Sequence, residues 1–189
     1  RLLVEMASAR AELNTITCTA AVSACGKVGP WDQALRLLVD MGLLVSANVE
    51  LNTITYNAAV SAFGKGGRWD QALSLLVEMA SVRAKLNTIT YNAAVSACEK
   101  GTQWDQALRL VVEMASAHVV MNTITYNAAI SACGKGGQWG HALRLLVEMA
   151  SADVGLNTIT YNAAISACGK GGQWGHALRG IEAFGGHGA

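Results

Sequence analysis

Charge is scarce in this sequence. Asp, Glu, Lys and Arg make up 14% of it and leave a net charge of only +1, where ordinary soluble domains carry about a quarter charged residues. No protein-wide basic field announces a polyanionic partner, so any such case rests on where individual charges sit. No apolar run approaches the roughly 18 residues of a membrane span. The opening Arg1-Leu-Leu-Val-Glu-Met6 reads as the second half of a repeat and not as a signal peptide. The five cysteines are an odd number with no Cys-x-x-Cys pair, which fits a reducing compartment. No credible strand is present, so no Gly-rich phosphate loop follows one, and the His-x-Glu…Pro-Cys-x-x-Cys zinc signature is missing. These absences argue against an enzyme, a metal site, a cofactor, a small-molecule substrate and a membrane partner. Disorder is excluded from the other side, because 52% of the residues are hydrophobic and must be buried.

What is there is repetition. The stretch Asn122-Thr-Ile-Thr-Tyr-Asn127-Ala-Ala-Ile-Ser-Ala-Cys-Gly-Lys135 recurs, with small changes, from Asn14, Asn52, Asn87 and Asn157. The first interval is 38 residues and the other three are 35. A second block, Trp-Asp-Gln-Ala-Leu-Arg-Leu-Leu-Val-Glu-Met or a close variant, follows each copy and keeps the same intervals through Trp31, Trp69, Trp104, Trp139 and Trp174. Self-similarity at such a period marks a solenoid, in which each unit touches only its neighbours. The expected units are a partial repeat 1–14, complete repeats 15–52, 53–87, 88–122 and 123–157, and a truncated repeat 158–189. The chain thus opens in mid-repeat, as a piece of a longer array would. The three extra residues of the first unit fall within Gly42–Leu51, and the pattern decays after Arg179.

Within the unit 88–122 the apolar residues Tyr91, Ala94, Val95 and Cys98 fall at i, i+3, i+4, i+7, one face of a helix. Thr90 is the expected N-cap, and Lys100-Gly101 the expected stop. A second helix begins near Trp104 with the stripe Trp104, Ala107, Leu108, Val111, Met114 and Ala115. Its outward residues offer the ion pairs Asp105/Arg109 and Arg109/Glu113. Helices of this length are marginal alone and need neighbours. The reading is all-α: a superhelical solenoid of helix-turn-helix hairpins. Cys25, Cys98, Cys133 and Cys168 share a position that Phe63 fills in the remaining copy, which marks a buried apolar slot. Stacked helices hold such cysteines too far apart for a disulfide or a shared zinc. The tryptophans are expected in the core.

The polar positions of the first helix recur as strictly. Thr19, Asn57, Asn92, Asn127 and Asn162 form one ladder and Lys27, Lys65, Lys100, Lys135 and Lys170 another. Asn52, Asn87, Asn122 and Asn157 close the repeats, beside the start of the next first helix. With the 35-residue period, the Thr-Tyr-Asn opening, the Lys-x-Gly ending (Lys65–Gly67, Lys135–Gly137) and the Ala-Leu then Met of the second helix, the chain resembles the pentatricopeptide repeat family over nearly its whole length. The family's usual proline before the closing residue is replaced by Leu51, Leu86, Met121 and Leu156.

The resemblance implies binding of single-stranded RNA, one base per repeat read by two or three side chains. The base-reading pairs it implies are Thr19/Asn52, Asn57/Asn87, Asn92/Asn122 and Asn127/Asn157, with Asn162 lacking a partner. The family's code reads the first as adenine and the rest as pyrimidines, usually cytosine, a 5′-A-Y-Y-Y-3′ footprint. It also implies base sandwiching by Ile16, Ile54, Ile89, Ile124 and Ile159, phosphate contact by the lysines, and work in mitochondria or plastids. Other uses of the same residues stay open on the sequence alone. Asparagine caps helices and shapes turns, lysine offsets a helix dipole, and isoleucine packs between layers. The same concave surface could instead serve as a protein-binding scaffold. Five lysine–phosphate contacts predict a slope of log affinity on log salt near about −3.5, at about −0.7 each.

Overall fold

A computed structural model of the chain describes residues 53–173, together with Ala20 and Gly175. Among the described residues there are seven helices and no strand: α1 (Thr53–Gly66), α2 (Trp69–Ser81), α3 (Thr88–Lys100), α4 (Trp104–Ser116), α5 (Thr123–Lys135), α6 (Trp139–Ser151) and α7 (Thr158–Lys170). The odd-numbered helices pack on one another in succession and form one layer. Each even-numbered helix sits against its own first helix and the next one, forming the second layer. This is a helical-repeat solenoid. The insertion within Gly42–Leu51 and the tail after Arg179 lie outside the described residues.

The first helices bury more than one stripe because they have neighbours on three sides. In α3, Tyr91, Ala94, Val95 and Cys98 are all buried, and so are Thr90 and Ala97. Alanine at these contacts lets successive first helices approach closely. The slot is buried in each described copy: Cys98, Cys133 and Cys168 are buried free thiols, Phe63 at the same repeat position is equally buried, and Cys25 lies outside the described residues. Burial pushes the Cys98 thiol up to about 12, with the Asp105 charge adding to it, and Cys133 to about 11. Neither supplies a nucleophilic thiolate near neutral pH.

Three local expectations need correction. Asn87, not Thr90, caps α3; Thr90 is the third residue of the helix. On α4 the buried residues are Ala107, Leu110, Val111 and Met114, while Ala115 is exposed and Leu108 only half-buried. The second helix is clamped between two first helices, so its buried face turns toward Leu110. The expected Arg109/Glu113 pair does not close; Glu113 instead accepts the Tyr91 hydroxyl of α3 at 2.8 Å. The equivalent bond, Tyr56 hydroxyl to Glu78, is 3.1 Å. Each ties the two helices of a hairpin together through a buried ring. Burial, reinforced by the glutamate, pushes the Tyr56 phenol up to about 12 and raises Tyr91 and Tyr126 likewise.

Trp69, Trp104 and Trp139 are half-buried rather than central, while Trp31 and Trp174 lie outside the described residues. Trp69, Trp104 and Trp139 each lie across the glycine that follows the next first helix. A Cβ on Gly101, Gly136 or Gly171 would fall 2.2, 2.3 or 2.4 Å from the indole Cδ1. Glycine is required there by the approach of the ring, which locks one repeat onto the next.

Every complete hairpin turn among the described residues closes with the same double bond pattern. After α3, Gln103 N–H donates to the Cys98 carbonyl at 2.8 Å and Thr102 N–H to Glu99 at 3.3 Å. This ending needs a left-handed residue. Gly67, Gly137 and Gly172 supply it at φ 69°, 71° and 68°, whereas Thr102 stands at φ 59°. A side chain there costs about 1 kcal/mol or more. Thr102→Gly is therefore expected to stabilise the chain by about 1 kcal/mol and raise Tm by roughly 2–4 °C, read by thermal denaturation.

Candidate nucleic-acid interface

The start of each first helix builds the site. Asn122 is extended (φ −120°, ψ 177°), which aims its side chain back over the first turn of α5. Its Oδ1 accepts from Ile124 N–H and Thr125 N–H, both at 3.1 Å. Thr125 Oγ1 answers by accepting from Asn122 N–H at 3.2 Å. This reciprocal cap satisfies three amides that a helix start leaves unpaired. Asn87 on α3 repeats the arrangement in full, and Asn157 on α7 repeats it with Thr160. The capping use of Asn87, Asn122 and Asn157 is thus real.

The threonine hydroxyl has one proton and spends it on the neighbouring repeat. Thr125 Oγ1 lies 2.5 Å from Asn92 Oδ1 on α3 and 3.1 Å from Asn122 Oδ1, so the proton belongs to the shorter contact. Thr160 donates likewise to Asn127 at 2.6 Å, and Thr90 to Asn57. Asn92 Nδ2 in turn donates to Asn122 Oδ1 at 3.2 Å. The two residues of that sequence-inferred pair therefore touch. The Asn122 oxygen accepts three such bonds and is fully used, the Asn92 oxygen accepts one, and the donors that remain are the second proton on Asn92 Nδ2 and both on Asn122 Nδ2.

Around them lies a groove compartment of about 660 Å³, whose lining includes Ser61, Lys65, Ile89, Asn92, Ser96, Asn122 and Ile124. Ile89 and Ile124 stand 65% and 62% exposed, and Ile54 and Ile159 are as open. They do not pack between layers. Asn57 and Asn127 are half-buried like Asn92, Asn87 like Asn122, and Asn157 and Asn162 exposed. Lys65, Lys100, Lys135 and Lys170 are exposed at the ends of their helices. Lys100 Nζ donates to the Lys65 carbonyl at 3.0 Å, so part of its role is to hold the preceding helix end. Thr19, Asn52, Ile16 and Lys27 lie outside the described residues. The buried threonines Thr90, Thr125 and Thr160 were missed as members of the site, although Asn-x-x-Thr at each helix start is a capping signature that points to them. Among the described residues no group of His, Cys, Asp and Glu is arranged to hold a metal ion, and no helix is long and apolar enough to cross a membrane.

These residues define an array of helical hairpins with a polar, apolar-edged groove along its layer of first helices. The PPR repeat family model matches residues 51–100, 86–135 and 121–170, and the PPR repeat model matches residues 16–43 and 159–182. The chain belongs to the pentatricopeptide repeat family. Among solved structures, the maize pentatricopeptide repeat protein PPR10 is similar at 29% identity and TM-score 0.76, over 99% of this chain and 26% of that one. PPR10 in complex with an 18-nt psaJ RNA element matches at TM-score 0.69 and 24% identity, over 94% of this chain and 29% of that one. The PPR domain of Arabidopsis thaliana protein-only RNase P 1 in complex with tRNA shares the fold at TM-score 0.68 and 15% identity, each chain covered over 87%. The chain thus spans only about a quarter of the length of maize PPR10. No curated protein sequence matches it significantly.

Proposed function

We propose that the chain binds single-stranded RNA selectively along the groove of its first helices, one nucleotide per repeat, as a platform without catalysis of its own. One observation carries this reading: a paired Asn92 and Asn122, with N–H donors left to give, line a compartment edged by two exposed isoleucines, with a lysine at its end. The isoleucines offer apolar surface to the faces of a base, and the amides meet its Watson–Crick edge. Those donors suit cytosine, whose N3 and O2 accept. Asn122, its oxygen committed to the cap, offers the N3–H of uracil no acceptor. The same logic extends to Asn57/Asn87 and Asn127/Asn157, and with Thr19/Asn52 read as adenine the footprint is 5′-A-Y-Y-Y-3′. Support of RNA processing, stability or editing in a mitochondrion or plastid is the role this reading suggests.

Lys135 is already bound to a carboxylate, Glu99 Oε1 at 3.0 Å. Four lysines then remain for phosphates, and the slope of log affinity on log salt is expected near about −2.8 rather than about −3.5. Binding of a short synthetic RNA containing 5′-ACCC-3′, measured across salt concentrations, tests this. A flat response would remove the phosphate contacts and favour a protein-binding scaffold on the same surface.

A further inference from the structure

The residue just before the ladder lysine is glycine in three of the four described first helices, Gly64, Gly134 and Gly169, and glutamate in α3, Glu99. Gly64 lines the groove compartment with Ser61, Lys65 and Ser96. Moved on by one repeat, that stretch of wall consists of Ser96, Glu99, Lys100 and Ser131. A carboxylate therefore stands where the preceding compartment has none. Glu99 Oε1 accepts from Ser131 Oγ at 2.8 Å and from Lys135 Nζ at 3.0 Å, and the Glu99 carbonyl accepts from the same ammonium at 3.3 Å. Among the described residues Lys100 has no carboxylate partner, and its ammonium meets the Lys65 carbonyl. The two lysines share a repeat position and differ in net charge offered to the groove.

We propose that Glu99 interrupts the phosphate track: it withdraws Lys135 from RNA and places a negative charge between the repeats 88–122 and 123–157. The proposal rests on the RNA reading. A phosphate arriving beside Lys135 must compete with the carboxylate for the ammonium and is itself repelled by it. The array then grips its ligand less firmly at this joint than at the equivalent joint one repeat earlier. Ser131 fixes the carboxylate in place, so the interruption is built into the wall. Glu99 is a positioning residue that acts through Lys135.

The test compares the wild-type chain, Glu99→Gln, Lys135→Ala and the double variant, using the same 5′-ACCC-3′ RNA across a salt series. Glu99→Gln keeps a side chain that can hold Ser131 but frees the lysine. It is expected to tighten binding roughly three- to tenfold at low salt, given the usual strength of one exposed ion pair and of a like charge removed. The salt slope should steepen by about 0.7, one regained phosphate contact. Lys135→Ala should weaken binding about twofold or less in the wild-type background and several-fold more when Glu99 is already Gln, the non-additivity of a coupled pair. A Glu99→Gln chain with unchanged affinity and slope, beside a wild type whose binding depends on salt, would overturn the role of Glu99 and leave the RNA reading standing. A wild type without salt-dependent RNA binding would overturn both. If the glutamine variant fails to fold, Glu99→Gly, which copies Gly64 and Gly134, is read by the same criteria.

Discussion

Replacing Asn122 with aspartate is expected to switch the preference of one repeat from cytosine to uracil, by about ten- to a hundredfold. Oδ1 of Asn122 is committed to the cap of α5 and to Asn92, and its Nδ2 makes no hydrogen bond among the described residues. Aspartate keeps the capping oxygen, since it is as good an N-cap as asparagine. It replaces the free donor by an acceptor, which the N3–H of uracil can meet and the N3 of cytosine cannot. One well-placed base contact is worth roughly 1–3 kcal/mol of discrimination. The new charge also lies at a helix N-terminus, where an anion is favoured, so the fold should hold. Binding to RNAs that differ only at that nucleotide, at constant salt, gives the answer. Equal affinities for all four bases before and after the change would remove Asn122 from base reading.

Thr125→Val should be the most damaging single change at the groove, because one buried hydroxyl serves two repeats. It accepts from Asn122 N–H at 3.2 Å and donates to Asn92 Oδ1. Valine has nearly the same shape and neither function. Both partners belong to half-buried asparagines that water reaches in part, so a loss of roughly 1–3 kcal/mol is expected in denaturant unfolding. With Asn92 no longer held, its amide can turn its oxygen outward, and the repeat 88–122 should lose discrimination between cytosine and uracil. Thr125→Ser, which keeps the hydroxyl, should recover most of both. If Thr125→Val unfolds like the wild type, the hydroxyl does not couple the repeats.

The fold was legible because its information is periodic. Five copies of one pattern, each with apolar residues at helical spacing and glycine at its turn, leave little besides stacked hairpins. The meeting of Asn92 with Asn122 was legible only through the family resemblance; 30 residues apart in the chain, they become neighbours because one helix start packs over the next first helix. Thr90 was misread because Asn and Thr three apart at a helix start can each cap it, and only the extended backbone of Asn87 decides which does.

What the sequence determined by itself is the repeat, its two helices and the alignment of like residues into ladders, since a strict period forces equivalent positions onto one face. What only the tertiary structure decided is which atoms those ladders present. The carboxamide oxygens turn inward because unpaired helix amides and a buried threonine hydroxyl demand acceptors, and that demand leaves donors facing the groove. The lysines look alike in sequence, yet Lys135 differs from Lys100 because a neighbouring helix, not its own, carries the carboxylate that meets it. Charge in a solenoid is set between repeats, and a pattern read within one repeat does not contain it.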